Sequence, residues 1–357
     1  VAIFGASNFP LAFSVAGGDT AAGLAAGCPV IVKGHSAHPG TSEIVAQAID
    51  DSIKACNMHP GTVSVIQGGS RDVGQALVQH PLIKAVGFTG SLAGGKALFD
   101  FCAAREEPIP FFGELGSVNP MFLLPHAIAN RGGEISSGWV GSLTMGAGQF
   151  CTNPGIAIVI DGADAANFIN DVTTLLSKVD SQMMLTDGIS KAYRVGCERM
   201  SSFGAVGQLK NASEINRTAL PQLFVTTGKT WLTNFELSEE VFGPSGLVVK
   251  ALDFSEMMEI ATKLTGQLTC TLHMDDADQN EAKKLLPILE RKAGRILANG
   301  FSTGVEVCES MVHGGPFPAS TNFGATSVGT MSIRRFLRPV CYQNMPTLML
   351  PTDMMSH

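Results

Sequence analysis

Two side chains in this sequence stand in settings where they could do chemistry. Cys151 lies in Gly146-Ala147-Gly148-Gln149-Phe150-Cys151-Thr152-Asn153-Pro154-Gly155, a thiol among small residues with an amide two positions before it and an Asn-Pro-Gly turn just after. Glycines let other backbone or a ligand approach closely, and a thiolate is favoured near aligned backbone N–H groups. One reading makes Cys151 a sulfur nucleophile; the other makes it a buried, inert cysteine. Glu114 follows two phenylalanines and is flanked by Gly113 and Gly116. Partial desolvation there would raise its pKa toward the range of a general base, whereas an exposed turn would leave it a solvated carboxylate.

The elements that must position these groups are readable from periodicity. Val1-Ala2-Ile3-Phe4 is a strand run closed by the turn Gly5-Ala6-Ser7-Asn8-Phe9-Pro10. Small residues over 14–26 suit a helix, 29–34 a strand, 41–53 an amphipathic helix, 63–66 a strand, 72–78 a helix, 83–88 a strand and 92–105 a helix. Such alternation predicts an open, mostly parallel α/β sheet of the Rossmann-like kind, with strands written as continuous apolar runs. Ligands of these sheets bind beyond the carboxyl ends of the strands. Asn8 follows the first strand, Lys33 ends the second, and Gly90-Ser91 opens the helix after the fourth. A helix start with free N–H groups suits a phosphate, although no G-x-G-x-x-G follows the first strand. Lys33 on its own also fits a solvated strand end.

Beyond 121–124, another apolar strand, the segment 127–145 has helix length and leads to Cys151, and the β-branched run 156–160 reads as a strand. A second α/β half follows. It has helices over 165–178, 255–264 and 276–292, strands over 221–225, 247–250 and 268–272, and a mixed stretch between 182 and 228. The run 314–324 is loop chemistry, and 340–343 after Arg334-Arg335-Phe336-Leu337-Arg338-Pro339 is strand-like.

Composition sets the outer limits. The 357 residues give room for two domains, 45% of them are apolar, 15% are charged and the formal net charge is −7. There is no basic stripe, so a nucleic-acid partner is not expected, and no apolar run has membrane-spanning length. The eight cysteines are scattered without a C-x-x-C pair, which reads as a reducing, cytoplasmic setting. The eight histidines show no H-E-x-x-H and no cluster with the cysteines, so no metal site is expected. The chain begins without Met, inside an apolar strand, as if cut from something longer.

Gly113-Glu114-Leu115-Gly116, Gly148-Gln149-Phe150-Cys151 and Glu240-Val241-Phe242-Gly243-Pro244, in that order, resemble the three signatures of the aldehyde dehydrogenase superfamily. Ser7-Asn8-Phe9-Pro10, Lys33 and Phe88-Thr89-Gly90-Ser91 fall where that family's cofactor-side motifs belong, so the resemblance spans essentially the whole chain. Within the family, the segments 5–10, 148–155 and 336–344 resemble the 2,5-dioxovalerate (α-ketoglutaric semialdehyde) dehydrogenases, relatives of the bacterial NADP-dependent fatty aldehyde dehydrogenases.

The resemblance implies a cofactor-binding domain over 1–117, a catalytic domain over 118–318 and a tail over 319–357 that returns to the cofactor domain and an oligomer interface. It also implies that family members carry a further N-terminal portion. By the same resemblance, Cys151 attacks the aldehyde, Asn8 and the Cys151 N–H hold the oxyanion, and Glu114 activates water. Glu240 bonds the nicotinamide ribose, Phe242 packs beside the ring, Lys33 reaches the adenosine ribose, and Ser91, with Gly90 and Leu115, lies at the cofactor. Ser36 stands where NAD-preferring relatives carry Glu, and a hydroxyl tolerates a 2′-phosphate that a carboxylate repels. NADP is therefore the expected cofactor, with NAD possible. A second departure, Ser117 in place of the Gly-Lys that many relatives have there, bears on subfamily.

The expected partners are a small aldehyde, preferably a semialdehyde oxo-acid, and further copies of the same chain through 340–344. Arg334, Arg335 and Arg338 are candidates for a cationic tunnel mouth. The alternatives are a long-chain aliphatic aldehyde as substrate, an inactive homologue acting as an oligomer-forming module, and a thiol esterase without redox chemistry.

Overall fold

In the computed structural model, residues 1–203, 206–207 and 217–354 are described. The first half alternates as the apolar runs predict: β1 (Ala2–Phe4), α1 (Gly18–Ala25), β2 (Val30–Lys33), α2 (Pro39–Ala55), β3 (Val63–Ile66), α3 (Arg71–Gln79), β4 (Val86–Thr89), α4 (Leu92–Ala103) and β5 (Phe111–Glu114). These five strands form one wholly parallel sheet in the order β3-β2-β1-β4-β5. Period-two packing covers both faces: Ala2 and Phe4 enter one core with Val86 and Phe111, while Ile3 enters another with Val30 and Val32.

The second half contains β6 (Met121–Leu123), α5 (Pro125–Thr144), β7 (Ile156–Ile160), α6 (Ala163–Leu176), β8 (Gln182–Met183), α7 (Asp187–Ser202), β9 (Val206–Gly207) and β10 (Thr218–Ala219). It continues through β11 (Gln222–Thr227), α8 (Gly228–Thr233), β12 (Ser245–Ala251), α9 (Phe254–Lys263), β13 (Gln267–His273), α10 (Gln279–Leu289) and β14 (Ala293–Ala298). Its main sheet runs β14-β13-β6-β7-β12-β11-β9, parallel except for β9 at the edge, and β8 pairs with β10 in a small antiparallel ribbon. Again the faces alternate. Ile156 and Ile158 of β7 pack with Leu247 and Val249 of β12 on one side, and Ala157 and Val159 pack with Trp139 and Val248 on the other. The fold is thus the open, mostly parallel α/β architecture that the sequence predicts.

Helix starts follow local chemistry. Ser70, Ser91, Thr186 and Asp253 each accept a backbone N–H in the first turn of α3, α4, α7 and α9. The Asp278 carboxylate accepts from the N–H groups of His126 and Ala127, both at 2.9 Å, and so caps α5 from a distant loop.

Of the two settings the sequence leaves open for Glu114, the exposed turn fails: Phe111–Glu114 is an edge strand and Glu114 is buried with partners inside the protein. Two expectations need correction. The stretch expected to be mixed contains a full helix, α7, whose buried residues Ser190, Tyr193, Gly196 and Met200 keep helical spacing without being mostly apolar. Part of it, 204–205 and 208–216, lies outside the described residues. The segment 340–343 forms no strand; it is exposed and pairs with none of the described strands. Among the described residues, no helix is long and apolar enough to cross a membrane.

One buried histidine gives the fold a pH dependence. His273, ending β13, is 1% exposed, and burial, reinforced by the nearby Arg131 charge, pushes its pKa from 6.5 down to about 4. Between those values the unfolded chain holds a proton that the folded chain rejects, so stability is complete above about pH 6.5 and falls as pH drops toward 4. The loss attributable to this group is roughly 2–4 kcal/mol. Urea unfolding at both ends of that window should show a smaller pH dependence in His273→Leu than in the parent; equal dependence would refute it.

Candidate active site

The loop that carries Cys151 is built from backbone that only particular residues accept. After α5, Gly146, Ala147 and Gly148 take φ of 56°, 57° and 65°. A Cβ on Gly148 would lie 2.3 Å from the Gly243 carbonyl carbon, so this loop and the segment before β12 touch through bare backbone. Gly148→Ala meets both the left-handed strain and that contact. It is expected to cost at least about 2 kcal/mol and to displace the thiol, read as a lower unfolding midpoint together with lower turnover.

Side-chain amides then fix the loop. Asn119, itself at φ 46° between β5 and β6, donates from Nδ2 to the carbonyls of Cys151 and Asn153, both at 2.9 Å. Its Oδ1 accepts from Ser117 Oγ at 2.9 Å and Thr269 Oγ1 at 3.1 Å. Gln267 Oε1 accepts from Ser117 Oγ at 3.0 Å and the Val118 N–H at 2.9 Å, and Ser302 Oγ donates to the Thr152 carbonyl at 2.7 Å. The backbone around the sulfur is therefore held by β13 and by a loop after β14.

Glu114 and Cys151 meet, and a third group joins them. His313 Nε2 lies 3.0 Å from Glu114 Oε1 and 3.5 Å from Cys151 Sγ. Ser327 Oγ donates to Glu114 Oε2 at 2.7 Å. The His313 backbone is itself set by its N–H, which donates to Thr326 Oγ1 at 2.9 Å, and by its carbonyl, which accepts the Ser327 N–H at 2.9 Å. This corrects the expectation that no histidine clusters with a cysteine. The two are 162 residues apart, so no spacing rule could pair them, and Gly314-Gly315-Pro316 after His313 signalled only a loop.

The electrostatics also differ from expectation. Burial pushes the Glu114 carboxyl upward, but the His313 charge and hydrogen bonds from His313, Ser327 and Cys151 outweigh it, so its pKa is lowered rather than raised. The Cys151 thiol is held well above its usual value, first by burial and then by the charge of Glu114. The resting pair is a thiol facing an ionised carboxylate, so the sulfur needs a base at the moment of attack.

Asn8 comes close through the loop: its Nδ2 donates to the Gln149 carbonyl at 2.8 Å, and Phe9 meets Phe150 edge to face at 5.2 Å. The sulfur opens on a cavity of about 660 Å³ walled by Phe9, Phe13, Ala21, Val305, Val328 and Ile333, and no lysine or arginine lines it. None of the three arginines expected at the mouth lines it. Arg335 is buried and donates to Asp19 Oδ1 at 2.7 Å, Arg334 faces a different groove, and Arg338 is exposed beyond it.

The remaining predicted residues lie at the carboxyl ends of the first sheet and across from it. Lys33 ends β2, partly buried and with its pKa lowered by that burial, and has no carboxylate partner among the described residues. Ser36 is exposed in the turn that follows. The Gly90 N–H bonds the Glu114 carbonyl at 3.1 Å, and Ser91 caps α4. Leu115 is buried, with its side chain against Gly95 of α4. Glu240 reaches Gly116 and the Ser117 backbone, with its carboxyl pushed up to about 8 by burial, and shares a small recess with Phe242, Phe150 and Asn153. A lone cation, a helix start and a carboxyl beside a glycine, ranged along the strand ends of a parallel sheet, fit a dinucleotide.

A thiol and an imidazole at a cavity wall, with a buried carboxylate bonded to the imidazole, are equipment for covalent thiol chemistry. The chain belongs to the aldehyde dehydrogenase family, whose model matches residues 1–196. It is 51% identical over 98% of its length to alpha-ketoglutaric semialdehyde dehydrogenase 2 of Azospirillum brasilense, and 48% identical over 98% to the alpha-ketoglutaric semialdehyde dehydrogenase of Acinetobacter baylyi. It spans 67% of the length of each. Among solved structures, proline utilization A of Bradyrhizobium japonicum superposes with a TM-score of 0.78 at 21% identity, over 94% of this chain and 33% of that one.

Proposed function

We propose that the protein oxidises an aldehyde to a carboxylic acid with NADP, and that its substrate is 2,5-dioxovalerate, giving 2-oxoglutarate. The observation that carries the reading is the meeting of Cys151 Sγ and His313 Nε2 at the cavity wall, with the Glu114 carboxylate hydrogen-bonded to that imidazole. Glu114 takes the thiol proton as sulfur bonds to the carbonyl carbon. The second N–H of the Asn8 amide and the Cys151 N–H hold the oxyanion. Nicotinamide, when bound, supplies the hydride acceptor. The thiol proton passes from Glu114 to solvent before the second half-reaction; the carboxylate then draws a proton from water, whose oxygen attacks the thioester, and the sulfur leaves as a thiolate that is reprotonated. His313 and Ser327 aim the carboxylate and favour its ionised form at the start of each half-reaction.

Lys33, Ser36, Gly90, Ser91, Leu115, Glu240 and Phe242 would hold the dinucleotide, and the hydroxyl at Ser36 supports NADP over NAD. The substrate reading rests on the names of the two relatives. A long aliphatic aldehyde is the second reading, favoured by the apolar cavity without a cation. Following reduced-cofactor absorbance with each aldehyde and each dinucleotide tests both. A higher kcat/KM for the long aldehyde overturns the substrate, a strong NAD preference overturns the cofactor, and no turnover by folded protein favours a binding module.

A cytoplasmic setting accords with the eight free thiols. The extended tail, with Leu348 92% exposed, supports a homo-oligomer that covers it. Sedimentation should show a species larger than the monomer, and a stable monomer would refute it.

A further inference from the structure

We propose that Cys151, His313 and Glu114 form a binding site for a borderline-soft divalent cation of the zinc class, and that its occupation caps the reactive sulfur. The three candidate ligand atoms lie within 4.8 Å of one another. In a tetrahedral zinc site with bonds of about 2.0–2.1 Å to nitrogen and oxygen and about 2.3 Å to sulfur, ligand pairs stand roughly 3.3 Å (N···O) and 3.5 Å (N···S) apart. The corresponding separations here are 3.0 Å and 3.5 Å. Those two separations need shifts of only a few tenths of an ångström, and the third, between sulfur and carboxylate oxygen, is no more than 4.8 Å, so the three donors surround one small volume.

The donor set selects the metal. A thiolate, an imidazole and one carboxylate suit zinc, cobalt or cadmium and are poor for magnesium or calcium, which want oxygen shells. Thiolate and carboxylate together neutralise the dication. The ligands come from three separate segments: the end of β5, the loop after α5 and the loop around 311–315. Ser327 on Glu114 Oε2 provides an outer hydrogen bond that fixes that ligand's orientation, and Thr326 Oγ1 holds the backbone N–H of His313. The fourth position opens on the cavity, through which the ion enters and where a water completes the shell. Binding releases any proton on Sγ or Nε2 to solvent and leaves oxidation states unchanged. Occupation removes the sulfur lone pair and the carboxylate at once, so the metal acts as a chelator-reversible inhibitor.

The test uses the whole chain, reduced and metal-free, without aldehyde or dinucleotide, so that it stands or falls apart from the catalytic reading. Zinc is titrated against a chromophoric chelator, and cobalt(II) is added as a spectroscopic probe. One ion per chain at this site is expected, with the strong d–d absorption of four-coordinate cobalt and a sulfur-to-cobalt charge-transfer band. Cys151→Ser should abolish that band, and Cys151→Ser and His313→Gln should each weaken zinc binding at least about tenfold. In the unaltered protein, zinc but not magnesium should slow alkylation of Cys151, which needs no variant to fold. Cobalt spectra without a thiolate band, zinc affinity unchanged in both variants, or alkylation indifferent to zinc would each overturn the site.

Discussion

Cys151→Ser is expected to lower kcat for aldehyde oxidation by about 10³- to 10⁶-fold, the scale seen when a covalent nucleophile is removed. The change is nearly isosteric, and the hydrogen bonds that hold the loop run through the Cys151 carbonyl rather than its side chain, so fold and dinucleotide binding should persist. A hydroxyl is a far weaker nucleophile than a thiol. The ionised Glu114, whose charge already opposes thiolate formation, would have to remove a proton from a much weaker acid. The measurement is kcat beside dinucleotide affinity in the same preparation. Retention of more than a tenth of the parent kcat would remove the sulfur from the mechanism.

Asp19→Ala is the second large expectation, at about 3–5 kcal/mol of stability. Asp19 in the first turn of α1 and Arg335 are both buried, and they meet at 2.7 Å across 316 residues. Removing the carboxylate leaves a guanidinium in the interior with only its bond to the Ser332 carbonyl and the Phe336 ring beneath it. The cost is mostly that orphaned charge, so the pair Asp19→Leu with Arg335→Leu should recover most of the loss. Because α1 and the turn Thr330–Phe336 both wall the cavity, the single variant should also raise KM more than it lowers kcat. Denaturant midpoints of the two variants decide the matter, and a single variant within 1 kcal/mol of the parent would show that the ion pair contributes little.

The two sheets were legible because their strands are written as apolar runs between glycine-bearing turns. Cys151 and Glu114 stood out because each sits in a short string of unusual composition. β5 was hidden by Gly113 and Glu114, which weaken strand propensity yet suit a strand whose end enters a site. His313, Asn119 and Gln267 carried no local signal. Asn119 lies 148 residues from the Gln267 side chain that accepts its N–H, and only the folded β5–β6 turn beside β13 makes them neighbours. The arginines after 333 misled for the same reason: proximity in sequence to a tunnel does not say which way a guanidinium turns, and Arg335 was already committed to Asp19.

The bare contact between Gly148 and Gly243 has a thermodynamic corollary. It joins the sulfur's segment to the one bearing Glu240, although the two lie far apart along the chain. Whatever a small guest at Glu240 does to the sulfur's reactivity toward an alkylating reagent, alkylation must do to the guest's affinity by an equal factor, since linkage is reciprocal.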